Sequence, residues 1–82
     1  MKYELYLYDV WGNDEDGYVV NDVIPTGIKF DDYAPSKKRL CEILKLDDPY
    51  KMDADDTNDD VIFVDYEGKP YCELREVTEN VN

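Results

Sequence analysis

Pro35-Ser36-Lys37-Lys38-Arg39-Leu40-Cys41-Glu42-Ile43-Leu44-Lys45 decides the fold, because it is the only good helix candidate in a chain of 82 residues. Ser36 has the side-chain oxygen that an N-cap needs, and the spacing predicts a helix from about Lys37 to Lys45. Leu40, Ile43 and Leu44 make one apolar stripe, widened on one side by Cys41. A single stripe must be buried against something, and the rest of the chain reads as strand and turn. One helix laid on an antiparallel sheet is the economical arrangement. Lys37, Lys38 and Arg39 crowd the first turn, where the helix dipole disfavours each by roughly a few tenths of a kcal/mol. Asp31 and Asp32, or Asp47 and Asp48, are the carboxylates placed to offset them.

On the N-terminal side, residues 2–11 (KYELYLYDVW) read as a strand with Tyr3, Leu5 and Leu7 on one face and Lys2, Glu4, Tyr6 and Tyr8 on the other. Trp11 and Gly12 are expected to end it. Asn13-Asp14-Glu15-Asp16-Gly17 has the composition of a hairpin turn, with Gly17 able to take positive φ. A second, Val-rich strand runs from Tyr18 to about Ile24 and is expected to break at Pro25. Gly27 then allows a bend before a short extension through Ile28 and Phe30.

On the C-terminal side, Asp47 to Asp60 is the most acidic stretch and reads as a loop, with a short strand at Tyr50-Lys51-Met52. Val61 to Tyr66 is a strong strand, Glu67-Gly68-Lys69 a tight turn, and Tyr71 to Val77 the returning strand. Val61 and Phe63 oppose Ile62 and Val64, which marks a central strand with both faces at least partly covered. The expected order is β-β-α-(β)-β-β: an α+β domain of four to five antiparallel strands with one helix on one face. Residues 1–82 read as one domain, with 78–82 as a frayed tail.

The charge is the second strong signal. Twenty-one Asp and Glu face nine Lys and Arg with no His, a formal net charge of -12. That balance excludes ordinary binding to nucleic acid or to an anionic membrane, which need positive charge at the contact. It suits a partner with a basic surface. An apolar fraction of 43% argues against wholesale disorder. A compact domain of this length has a radius of gyration of roughly 12 Å and a diameter of about 30 Å. Carboxylate self-repulsion predicts marginal stability that improves with salt or divalent cations.

Met1-Lys2-Tyr3-Glu4-Leu5 does not read as a signal peptide, and no stretch has the roughly 18–20 apolar residues of a membrane span. Cys41 and Cys72 lack the C-x-x-C spacing of zinc or redox sites and read as two reduced core thiols of a cytoplasmic protein, in preference to one disulfide.

Clustered carboxylates raise the question of metal. Counted from Asp56, residues Asn58, Asp60 and Glu67 fall where a calcium loop needs oxygens, but the sixth position is Val61 instead of Gly. No metal or cofactor site is assigned. Without His, a general base near neutral pH needs a perturbed carboxylate, Lys or Cys. A glycosidase pair such as Asp47 with Asp48 lacks room for a sugar cleft. No phosphate loop or nucleophile elbow is present, and the chain does not read as an enzyme.

Eight Tyr remain, at positions 3, 6, 8, 18, 33, 50, 66 and 71. Strand propensity explains about half of them. Tyr6 and Tyr8 lie opposite the Leu5–Leu7 face, so a helix covering the Leu side leaves them exposed as aromatic anchors amid carboxylates. The acid clusters have a bland explanation, solubility of a small protein. They also have a sharper one. Duplex DNA carries one charge per about 1.7 Å, so 30 Å of it presents roughly 18, the same order as this chain.

Asp9-Val10-Trp11-Gly12-Asn13, followed by Asp16-Gly17-Tyr18-Val19-Val20-Asn21-Asp22, resembles a signature of small acidic proteins encoded by bacteriophages and prophages. Gly68-Lys69-Pro70-Tyr71-Cys72-Glu73-Leu74 is similar to their closing hairpin. The resemblance covers both ends of the chain, is weak over residues 31–60, and carries no site residue across. It implies action inside a host cell's cytoplasm, where such proteins inhibit nucleases, CRISPR effectors, repair glycosylases or restriction systems.

The expectation is therefore a binding inhibitor of a nucleic-acid-acting host protein. Its contacts would be Asp14, Glu15 and Asp16 in the first hairpin and Asp53, Asp55, Asp56, Asp59 and Asp60 in the acidic loop, with Tyr6 and Tyr8 as anchors. Trp11 reads first as core at the hairpin end and second as interface. The alternatives are an accessory or structural phage protein that binds through a Tyr-rich sheet face or edge, for instance as a homodimer, and a calcium-responsive module.

Overall fold

Period-2 patterning prevails along nearly the whole chain. The computed structural model describes residues 2–30, 34–58 and 61–77. Five strands form, β1 (Lys2–Asn13), β2 (Gly17–Phe30), β3 (Met52–Asn58), β4 (Val61–Tyr66) and β5 (Lys69–Val77), with helix α1 (Lys37–Leu44) and a 3₁₀ turn at Pro49–Lys51. They make one sheet in the order β2-β1-β5-β4-β3, antiparallel at every junction. The expected α+β class, a helix on one face of an antiparallel sheet, is what forms.

The helix starts as its sequence demands. Ser36 Oγ accepts from the Arg39 amide at 3.2 Å, and Lys45 closes the other end in the left-handed region at φ 59°. Leu40 and Cys41 are buried on the sheet, joined by Leu5, Phe30, Met52, Val64, Cys72 and Leu74 in one core. Full burial of a side chain such as Leu40 contributes roughly 2 kcal/mol. Both thiols are free and buried there.

Four boundaries differ from the sequence expectation. Strand β1 continues through Trp11 and Gly12 to Asn13, because Gly12 takes φ 114° inside the ribbon, where a Cβ would meet the Gly17 carbonyl oxygen at 2.1 Å. Strand β2 does not break at Pro25. It is an edge strand, where a missing N–H costs no ladder bond, and it absorbs irregularity as bulges. One bulge places Thr26-Gly27-Ile28 opposite Leu5, pinned by the Thr26 hydroxyl donating to the Leu5 carbonyl at 2.6 Å. The acidic stretch is not all loop. Met52 is buried and anchors β3, while Asp53, Ala54 and Asp55 are exposed along the other sheet edge. Charge on an edge strand blocks unwanted pairing, which offsets the poor strand propensity of Asp. Strand β5 begins at Lys69, after a two-residue turn in which Glu67 and Gly68 both take positive φ.

Strand β4 is an interior strand as expected, paired with β3 and β5, and β5 is the middle of the sheet. Beside it, β1 pairs with β5 only from Lys2 to Leu7, so Tyr8–Asn13 continues with β2 as a two-stranded arm. The arm stretches the molecule to 49 × 25 × 23 Å, in place of the near-spherical 30 Å expected.

Candidate protein-binding surface

Strand register places side chains in rows, since directly opposed residues share a face. On the helix side one row reads Ile24, Leu7, Cys72, Val64, Ala54 from β2 to β3. The corresponding row on the open side reads Pro25, Tyr6, Glu73, Phe63, Asp55. No helix among the described residues covers this second face. Phe63 is 45% exposed there, while Val61 and Asp65 on the same face are half-buried, so this side of β4 is only partly covered.

Tyr6 and Tyr8 do lie on the open face, but they are half-buried, because they close over a charged centre. Glu73 is only 5% exposed. Arg75 Nε donates to its Oε2 at 2.5 Å, and the Arg75 guanidinium sits 4.5 Å from the Tyr6 ring centre. The Tyr8 hydroxyl is pushed well above its usual pKa by burial, then by the charge of Glu73 and a hydrogen bond to it. Tyr6 is raised by a hydrogen bond to Glu4. These contacts hold both aromatic rings in place on the open face.

The acidic candidates fall into two groups at different places. Asp14, Glu15 and Asp16 form the exposed turn at the end of the arm. Asn13 Oδ1 accepts from the amides of Glu15 (3.0 Å) and Asp16 (2.7 Å), and the Tyr18 hydroxyl donates to Asp14 at 2.6 Å. The Asp14 hydrogen bond raises the pKa of Tyr18. The turn is therefore ordered by its own polar groups. Asp53 and Asp55 stand on edge strand β3, on the open face, where Asp65 opposes Asp53. Asp56 lies in the same strand. Asp59 and Asp60, like Asp31, Asp32 and the 78–82 tail, fall outside the described residues.

Most of the nine cations lie elsewhere. Lys37, Lys38, Arg39 and Lys45 belong to the helix and its cap, on the other side of the sheet. Arg39 lies 5.9 Å from the Phe30 ring, Lys69 lies 5.7 Å from Tyr71, and Lys51 pairs with Glu67 at 3.0 Å. By register, the open-face positions are Glu4, Asp53, Asp55, Asp65 and Glu73 against Lys2, Lys29 and Arg75.

Cavities are shallow. One cleft of about 700 Å³ lies between Lys37, Lys38, Pro49 and the exposed Tyr50, and one of about 250 Å³ lies between Asp14 and Tyr18 of the arm and Lys69 and Tyr71. Among the described residues, no group of three or more His, Cys, Asp or Glu converges as a metal ion requires. Of the span from Asp56 to Glu67, which resembles a calcium loop by count, Asp56 and Asn58 lie in β3, Val61 to Tyr66 form β4, and Glu67 stands in the turn after it, while Asp60 falls outside the described residues. Burial pushes the Cys72 thiol up to about 12 and also raises Cys41, which opposes formation of a reactive thiolate. Among the described residues, no helix is long and apolar enough to cross a membrane.

Sequence reasoning missed Phe63, Glu73 and Arg75 as parts of this surface. The signal was alternation: Glu73 stands between Cys72 and Leu74, so in a strand it must face away from them. Trp11 is not core. It is 64% exposed, because the arm projects past the last β1–β5 pair and has nothing to pack against.

No protein-family model, curated protein or solved structure matches this chain.

Proposed function

We propose that this protein is a non-catalytic binding module that occupies a basic surface of a nucleic-acid-acting protein and inhibits it, in the manner of small acidic proteins encoded by phages. The observation that supports this most is charge segregation. The chain has no Lys or Arg between Lys2 and Lys29, while four of its nine cations lie within residues 37–45. A hydration coat would intersperse the signs. Here the arm, from Tyr8 to Ile24, carries Asp9, Asp14, Glu15, Asp16 and Asp22 with no Lys or Arg of its own.

The length of the molecule refines the comparison with DNA. A duplex of 49 Å carries roughly 29 phosphate charges. A net charge of -12 fits neutralisation of several phosphate-contacting cations, not a replica of a whole duplex. The fixed Tyr6 and Tyr8 rings supply contact area that a phosphate backbone lacks. The uncovered Phe63 row also favours a second reading, an accessory phage protein that dimerises through this face.

Capture from a bacterial lysate at low salt, followed by salt elution, identifies the target. The target should then lose duplex DNA in competition with this protein, and the complex should weaken steeply between about 50 and 200 mM salt. Charge reversal at Asp14, Glu15, Asp16, Asp53 and Asp55 should abolish inhibition. Binding indifferent to salt, or a dimer whose activity ignores those reversals, would favour the accessory protein.

A further inference from the structure

The arm formed by Tyr8–Asn13 and Gly17–Ile24 carries more exposed apolar surface than its role in the fold needs. Trp11 is 64% exposed, its cross-strand partner Val19 66%, and Ile24 47%. Val20 is exposed on the other side of the ribbon. Large exposed aromatics at a projecting end are the usual anchors of protein interfaces, because a Trp brings large area at low entropic cost.

Between the Trp11–Val19 pair and the Leu7–Ile24 pair, on the same face, Asp9 stands directly opposite Asp22. Like charges directly opposed across strands destabilise a sheet. Asn21 Nδ2 donates to Asp9 at 3.0 Å, and Asp22 accepts from the Val23 amide at 2.8 Å, but both donors are neutral. The chain places no cation anywhere from Tyr3 to Ile28. The arm therefore presents an apolar pair beside a carboxylate pair whose hydrogen-bond donors are neutral, on a ribbon whose turn is already ordered.

We propose that the arm is the docking element of this protein, and that its occupant is a protein cleft with an apolar floor and a rim of Arg or Lys. The floor takes Trp11 and Val19, and the rim cations meet Asp9, Asp22 and the Asp14–Asp16 turn. This rests on the basic-partner reading above and assigns it a place. A second copy of this chain fits poorly, because it would bring the same carboxylates together.

The probe is a 14-residue helical peptide with a Leu stripe flanked by Arg, compared with a charge-matched peptide that has Ser in place of Leu. Binding is followed by backbone amide shifts and by the emission of Trp11, the only Trp in the chain. The Leu peptide should perturb amides of residues 9–24, shift Trp11 emission to shorter wavelength, and bind at least tenfold more tightly than the Ser peptide. Trp11→Ala with Val19→Ser should remove that tenfold advantage, with amides of β4 and β5 unmoved. Asp9→Asn with Asp22→Asn should weaken both peptides several-fold and keeps the test valid if the apolar variant misfolds. Equal affinity for the two peptides, or shifts centred on Asp53 and Asp55, would overturn the arm as docking element and leave the basic-partner reading standing. Failure of both peptides to bind at low salt would overturn both.

Discussion

The Arg75 guanidinium holds Glu73 from one side and the Tyr6 ring from the other, at 2.5 Å to the carboxylate oxygen and 4.5 Å to the ring centre. The two partners differ in exposure: the Arg75 side chain is 47% exposed and that of Glu73 only 7%. Removing the cation strands a carboxylate that cannot reach water easily. For a wholly buried pair this costs about 3–5 kcal/mol, and solvent access at Arg75 reduces it. Arg75→Ala should therefore cost about 2 kcal/mol in urea unfolding. The double variant Arg75→Ala, Glu73→Leu should return to within about 1 kcal/mol of the parent, because no charge is left to desolvate. Equal losses in single and double variants would show that the ring contact, not the ion pair, stabilises this face.

Gly12 is the residue on which the arm's geometry depends. Its φ is 114°, and an added Cβ would sit 2.1 Å from backbone at Gly17. Gly27 also has positive φ, 78°, but open space around it. Gly12→Ala should unpair the end of the arm, seen as fast amide exchange over residues 10–20 with β4 and β5 still protected. Gly27→Ala should cost about 1 kcal/mol from conformational strain alone, with the arm intact. Unchanged exchange in Gly12→Ala would mean that the ribbon can re-register without this glycine.

Alkaline pH should unfold the protein through the core. Cys72 has its pKa raised from 9.0 to about 12 by burial first, with the charges of Glu73 and Asp65 adding to it. Tyr8 is raised from 10.0 by burial and by Glu73. Both groups are held neutral in the fold, while the unfolded chain releases these protons earlier. The stabilising contribution is complete below pH 9 and is lost progressively between about 9 and 12. For Cys72 this is on the order of 2–3 kcal/mol by pH 11. Cys72→Ala should lower stability at pH 7 through the space it leaves, yet flatten the alkaline limb in pH-dependent urea midpoints. An alkaline limb as steep as the parent's would place the titration elsewhere.

Much of this architecture was legible because periodicity carries it. The Leu40–Leu44 stripe, Ser36 as cap, the alternation at Tyr3, Leu5 and Leu7, and the run from Val61 to Tyr66 all appear where their spacing puts them. What failed depended on neighbours. Pro25 reads as a break until β2 is known to be an edge, and the Asp-rich run at 53–56 reads as loop until β4 offers it a ladder. Trp11 reads as core because sequence gives no sign that β5 stops pairing at Cys72. The surface was half visible. Tyr6 and Tyr8 share a face by alternation, but their closure over Glu73 needs the register of β1 against β5.

The sign of the salt dependence follows from the balance of attraction and repulsion in the folded state. Lys51–Glu67 and Arg75–Glu73 are direct ion pairs and weaken when screened. Against them stand a net charge of -12, the opposed Asp9 and Asp22, and Asp65 facing Asp53. Among the described residues, the exposed Lys51–Glu67 pair contributes about 0–1 kcal/mol, and the burial of Glu73 shields the Arg75–Glu73 pair from salt, so screening removes little attraction against that repulsion. Raising NaCl from 20 to 300 mM, which shortens the screening length from roughly 20 Å to below 10 Å, should therefore raise the unfolding free energy by about 1–2 kcal/mol. Asp9→Asn with Asp22→Asn should raise stability at 20 mM and reduce the gain on adding salt. Urea melts at both salt concentrations decide this, and a midpoint that falls with NaCl would mean that favourable pairs dominate and that the carboxylates of the arm and sheet are already compensated within the chain.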